Sequence, residues 1–174
     1  MKDVTYLLPC RIETEDRLRN VITSITYIMK CFPEAKVIVK EVDTQSHFSE
    51  SALPRIKNYV GDTSQLKHIF EQNSEKFFHK TRILNDLCIA ADTPILYNHD
   101  VDVVVLKNSH QLAHRAITKE GSDAVYPFGC GIYQWAVTYS DQLLDKFLSS
   151  HDGNDADFEV LKDAKVRIPS SIGW

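Results

Sequence analysis

Short β-branched runs alternate along this chain with segments of helical period, and that alternation restricts the fold more than any other feature. Val4-Thr5-Tyr6-Leu7-Leu8 reads as a strand stopped at Pro9. Leu18, Val21, Ile22, Ile25 and Ile28 then recur at three- and four-residue spacing, with Glu15 and Asp16 in the first turn, where the helix dipole favours negative charge. That helix is expected to end near Cys31. Residues 36–42 carry Val37-Ile38-Val39, whose stiff side chains suit a buried strand. Two strands joined by a helix predict a parallel βαβ unit.

Periodicity weakens over residues 44–64, punctuated by Pro54 and Gly61, which predicts a partly irregular, mobile connection with a short helix around Ile56. A short strand is expected at 67–70, then a helix with Ile83, Leu84, Leu87, Cys88 and Ala91 along its apolar stripe, ending before Pro94. Residues 94–97 read as another buried strand. It delivers Asn98-His99-Asp100-Val101-Asp102 to its carboxyl end, where polar residues line sites, ahead of the hydrophobic Val103-Val104-Val105-Leu106. Further on, a helix is expected at about 109–118 with Gly121 in a left-handed turn, strands at 124–126 and 132–137, and a last helix capped by Ser140. The fold class is therefore α/β, a single domain over 1–174 with a mostly parallel central sheet and helices on both faces.

At 174 residues the chain can build a core without metal or disulfide staples. Cys10, Cys31, Cys88 and Cys130 form no Cys-x-x-Cys pair and read as reduced packing residues of a cytoplasmic protein. A net charge of −4, from 20 basic and 24 acidic residues without a basic block, excludes a nucleic-acid clamp. A local phosphate site remains compatible with it. The apolar run at the start, Val4 to Leu8, is far below the ~20 residues that cross a bilayer, so no membrane anchor is expected.

Asp100 and Asp102, one residue apart after a buried strand, can face a common point where the chain turns, and hard divalent cations want such oxygen ligands. The pattern alone fits a solvated turn equally well. Arg11, after the first strand, offers a charged fork to a phosphate or base, or lies on the surface. Glu41 and Asp43, after the second strand, can accept hydrogen bonds from a base or ribose, or cap a turn. Phe78-His79-Lys80-Thr81-Arg82-Ile83-Leu84-Asn85 places an aromatic and cations at a helix start, either for phosphate or as a solvated face.

Leu8-Pro9-Cys10-Arg11, the Phe78 to Asn85 segment and His99-Asp100-Val101-Asp102 occur in an order that resembles nucleotide-sugar glycosyltransferases of the GT-A fold. The resemblance is closest to the branch containing β-1,4-galactosyltransferases and chondroitin-polymerising enzymes, and covers roughly residues 4–106. It implies a GT-A-like sheet and metal-dependent, inverting transfer of a sugar from a UDP- or GDP-sugar to a hydroxyl of a glycan acceptor. It also implies nucleotide contacts at Pro9, Arg11, Phe78 and Lys80, with Mn²⁺ or Mg²⁺ on Asp102 and Asp100, and Asp100 beside the donor sugar and ribose. Lys80 stands where the branch has arginine, which keeps charge but loses bidentate geometry.

The family's later tryptophan- and glycine-rich acidic segment is not visible here, so either a donor half of about 1–106 is followed by an abbreviated acceptor half, 107–174, or the chain is a fragment. Asp155 and Asp157, with Glu159 beside them, are the late candidates for a catalytic base, and His151 for a metal ligand; a solvated loop fits the acidic cluster better, and a lone surface histidine fits His151 better. Tyr126, Phe128, Tyr133 and Trp135, around Gly129 and Gly131, fit a sugar platform, a partner surface or a core. Two rival readings stand beside the transferase. One is a haloacid-dehalogenase-like Mg²⁺ phosphatase with Asp100 as nucleophile, and the other a non-catalytic nucleotide-sugar-binding module.

Overall fold

A computed structural model describes residues 1–127, 135–138, 140–150 and 155–167. The chain divides into two compact units, Met1–Val104 and Val105–Trp174. In the first, β1 (Val4–Cys10), α1 (Glu15–Cys31) and β2 (Lys36–Asp43) lead into a π-helical turn (Phe48–Ala52), then α2 (Leu53–Val60), β3 (Leu66–Gln72), α3 (Lys80–Ala90) and β4 (Ile95–Asn98). The strands form a four-stranded sheet in the order β3-β2-β1-β4, every pair parallel. The expected α/β class and parallel βαβ unit are present, as a parallel sheet flanked by helices. Strand order reverses at β1, and such a reversal opens a crevice at the carboxyl ends of the strands.

β1 and β2 are buried along almost their whole length, as parallel strands covered on both faces must be. Leu7, Ile38 and Val42 join Ile83 and Leu87 of α3 in one cluster. The residues of opposite parity, Tyr6, Leu8, Val37 and Val39, are buried too, as is the α1 stripe of Val21, Ile22, Ile25 and Ile28. The Thr14 hydroxyl caps α1 by accepting from the Arg17 N–H at 3.3 Å, with Glu15 and Asp16 in the first turn.

The short helix expected around Ile56 is present as α2, and a π-helical turn before it makes the connection at 44–64 more regular than expected. Phe48, Ala52 and Ile56, four residues apart, are each 0% exposed, and the turn and α2 pack against α1. Pro54 lies in the first turn of α2, where a missing N–H breaks no helical bond. Likewise β1 does not stop at Pro9 but runs through it to Cys10. The Ile95 and His99 N–H groups donate to the Asp3 and Leu7 carbonyls at 3.2 and 3.1 Å, so the odd-numbered residues of β1 turn their backbone groups toward β4. Pairing with β4 ends at Leu7↔Asn98 while pairing with β2 continues to Cys10↔Glu41. Proline is tolerated because it sits where a donor would have no strand to meet.

Lys40 is buried on the α3 side of β2, its ammonium 2.7 Å from Glu71 and 2.5 Å from Asp86. Arg82 grips Glu71 with two hydrogen bonds of 2.6 and 3.0 Å. Burial opposes the Lys40 charge, but hydrogen bonds to Asp86 and Glu71 outweigh it and raise its pKa. Arg82 first, and then Lys40, hold the Glu71 carboxyl down to about 2 from an ordinary 4.5. A carboxylate depressed in the folded state stabilises fully above its unfolded pKa and loses that contribution as pH falls through the folded one. The unfolding midpoint should therefore drop between about 4.5 and about 2, and Glu71→Gln should flatten that drop. Thermal melts of both proteins across the window check it; equal slopes would remove Glu71 from the acid response.

In the second unit α4 (Lys107–Glu120) ends on Gly121 at φ 73°, the left-handed turn expected there. β5 (Trp135–Val137) pairs antiparallel with β6 (Lys165–Arg167). Between them lies α5 (Asp141–Ser150), with the Ser140 hydroxyl accepting from the Leu143 N–H at 3.2 Å and Leu144, Phe147 and Leu148 buried. Residues 124–126 are not a strand, and Tyr126 stands 83% exposed. β5 covers the end of the strand expected at 132–137, the remainder of which lies outside the described residues, and the brief β6 was not anticipated. Cys10 and Cys31 are buried as expected, whereas Cys88 is exposed, about 100° round α3 from the buried Leu87. No helix among the described residues is long and apolar enough to cross a membrane.

Candidate functional site

The carboxyl end of β4 builds the first wall of the crevice. The bond from His99 N–H to Leu7 extends the ladder by one residue, and the chain then turns, closed by a 3.3 Å bond from Val103 N–H to the Asp100 carbonyl. Asp100 and Asp102 occupy that turn, both with exposed side chains. Beneath them His99 is 3% exposed, its ring 6.1 and 6.0 Å from those of Tyr6 and Tyr97. Burial holds its imidazole down to about 4, so the ring is neutral at pH 7. The buried Ser24 hydroxyl lies 3.4 Å from His99 Nδ1 and donates to the Val103 carbonyl at 3.4 Å, bracing the turn from α1. Sequence reasoning placed His99 among the polar residues at the end of the strand and gave Ser24 no role. The available signal was a serine at stripe spacing, three residues after Val21 and four before Ile28.

Lys80 opens α3, and its ammonium forms an ion pair with Asp100 Oδ1. Two motifs 20 residues apart are thereby brought together. Arg11, the first residue beyond β1, is 7% exposed and so not a surface arginine. Its Nε donates to the Val42 carbonyl at 3.0 Å and Nη1 to the Lys76 carbonyl at 3.3 Å, while its guanidinium carbon lies 5.6 Å from the centre of the Phe78 ring. Nη1 is also 3.9 Å from Glu13. Nη2 is buried without a hydrogen-bond partner among the described residues. A buried, charged donor left unpaired is costly, and it calls for an acceptor. Glu75, Phe78, His79, Lys80, Thr81 and Arg82 line an open depression of about 660 Å³, a volume within the range of small-molecule sites.

Glu41 and Asp43 both brace turns at the end of β2. The Glu41 carboxylate is 0% exposed and accepts from the His47 and Phe48 N–H groups at 2.8 and 3.0 Å and from the Ser46 hydroxyl at 2.8 Å. His68 Nε2 lies 3.1 Å away on its other side, with His68 Nδ1 3.0 Å from the Ser49 hydroxyl. Burial would raise the Glu41 pKa, but the bonds from His68, Ser46, Phe48 and His47 outweigh it and lower the pKa. Asp43 accepts from the Ile12 N–H at 3.0 Å and the Thr44 N–H at 2.7 Å, tying the exit of β1 to that of β2 and so fixing the loop that carries Arg11. Pro9 precedes that loop on β1.

Asp155 and Asp157 open a 3₁₀ segment, Asp155–Ala164, but their side chains lie outside the described residues. His151, Phe128, Gly129, Gly131 and Tyr133 lie outside them as well, as does the Trp135 side chain.

Among the described residues no group of three or more His, Cys, Asp or Glu side chains is placed to cage a metal ion. Asp100 and Asp102 alone suit a hard cation of the Mg²⁺ or Mn²⁺ type, which keeps several waters and binds through one or two carboxylates together with substrate phosphates. Comparison with known proteins attaches no identity to this geometry: no protein-family model matches the chain, and no curated protein matches it.

Proposed function

We propose that the protein is a metal-dependent glycosyltransferase of GT-A type, acting in the cytoplasm, that moves a sugar from a UDP- or GDP-sugar to a hydroxyl of a glycan acceptor. The observation that carries this reading is the meeting of Lys80 with Asp100 beside the Arg11–Phe78 pair, at the crevice where strand order reverses. Arg11 presents its unpaired Nη2 to a nucleotide oxygen, and Phe78 offers a ring face to the base. Lys80 turns to the diphosphate. Asp100 and Asp102 would hold Mn²⁺ or Mg²⁺, which supplies charge neutralisation at the departing diphosphate. In the transfer the acceptor oxygen bonds to the anomeric carbon as the bond to the diphosphate breaks. The hydroxyl proton passes to a base, and the anomeric configuration inverts.

Titration calorimetry with UDP, GDP and their sugar conjugates, each with Mn²⁺ and with chelator, tests the reading. One nucleotide family should bind only with metal, and slow hydrolysis of one conjugate would then identify the sugar. Release of phosphate from a generic phosphomonoester with Mg²⁺, without nucleotide binding, would replace the transferase by a phosphatase using Asp100. Silence in both assays would remove the transferase reading as well.

A further inference from the structure

Resting on that reading, we infer that Lys80 is a built-in counter-ion that occupies Asp100 until a diphosphate draws it away, so that metal and nucleotide bind interdependently. Three features of the crevice lead there. First, the Lys80 ammonium contacts the carboxylate that a metal would use, and a cation at Asp100 and Asp102 would face that ammonium as a like charge. Second, both side chains are about half exposed, 44% for Lys80 and 49% for Asp100. An exposed pair of this kind is weak and exchanges readily. Third, the neighbouring cations cannot take its place at Asp100: Glu71 holds Arg82 by two bonds, and the Val42 and Lys76 carbonyls fix the Arg11 guanidinium in position. Lys80 has a flexible four-carbon stem and a compact charge, and can swing from carboxylate to phosphate without rebuilding α3. A diphosphate that takes Lys80 leaves both aspartates to the metal. By thermodynamic reciprocity the metal then strengthens the nucleotide by the same factor that the nucleotide strengthens the metal.

The test is Mn²⁺ binding to the full chain, followed by the electron paramagnetic resonance signal of free Mn²⁺, with and without UDP or GDP. Lys80→Met should bind Mn²⁺ alone about five-fold more tightly than wild type, the scale of an exposed ion pair plus a removed like charge. Its enhancement of Mn²⁺ affinity by nucleotide should shrink by a similar factor, while Lys80→Arg should keep both values near wild type. If Lys80→Met leaves nucleotide-free Mn²⁺ affinity unchanged or weaker, while wild type still binds nucleotide only with metal, the counter-ion role is overturned and the transferase reading survives. If wild type shows no metal-dependent nucleotide binding, both fall together.

Discussion

Asp102→Ala is expected to abolish metal-dependent nucleotide binding, with a loss of about a hundredfold or more, since a metal ion at a phosphate site contributes several kcal/mol. The turn that carries Asp102 is held by other groups: the Val103 N–H to Asp100 carbonyl bond, the Ser24 hydroxyl on the Val103 carbonyl and the buried His99 ring. An exposed side chain removed from such a frame should change folding stability by no more than about 0.5 kcal/mol. Calorimetry with Mn²⁺ and UDP or GDP, alongside a melt, separates the two effects. Unchanged nucleotide affinity in the presence of Mn²⁺ would sink the assignment of Asp102 to the metal.

Glu41→Ala should act in the opposite way, through the fold and not the ligand. Its carboxylate is fully buried and accepts from Ser46, His47 and Phe48 with His68 beside it, so truncation leaves two backbone N–H groups, a hydroxyl and an imidazole without their acceptor. Removing one partner from a buried, charge-assisted set costs about 3 kcal/mol, and for a chain of this size that lowers the melting temperature by roughly 10 °C. The exposed Glu50→Ala is the control. Equal midpoints for the two variants would show that the carboxylate is dispensable to the turn.

Local pattern carried the first unit because its signals are local. Val37-Ile38-Val39 can hardly be anything but a buried parallel strand, and the α1 stripe declares its covered face. What escaped depended on distant partners. The short helix around Ile56 was legible, but Phe48, Ala52 and Ile56 mark one continuous buried face only once α1 is there to receive it. Strand β6 has three residues, Lys165-Val166-Arg167, and exists by pairing with β5. At the site, the residue types of Arg11, Lys80, Asp100 and Asp102 pointed to charge chemistry, yet spacing could not say that Lys80 and Asp100 touch. That Glu41 and Asp43 brace turns shows only in the positions of the Ile12, Thr44, His47 and Phe48 N–H groups, which spacing does not give.

Pro9 also limits how far the sheet can close. Its backbone groups face the side where β4 has already departed, and its ring nitrogen has no hydrogen to offer. A β4 prolonged past Asn98 would find no N–H at Pro9 for its next carbonyl. The parting of β1 from β4 is thus written into the covalent structure of a single imino acid.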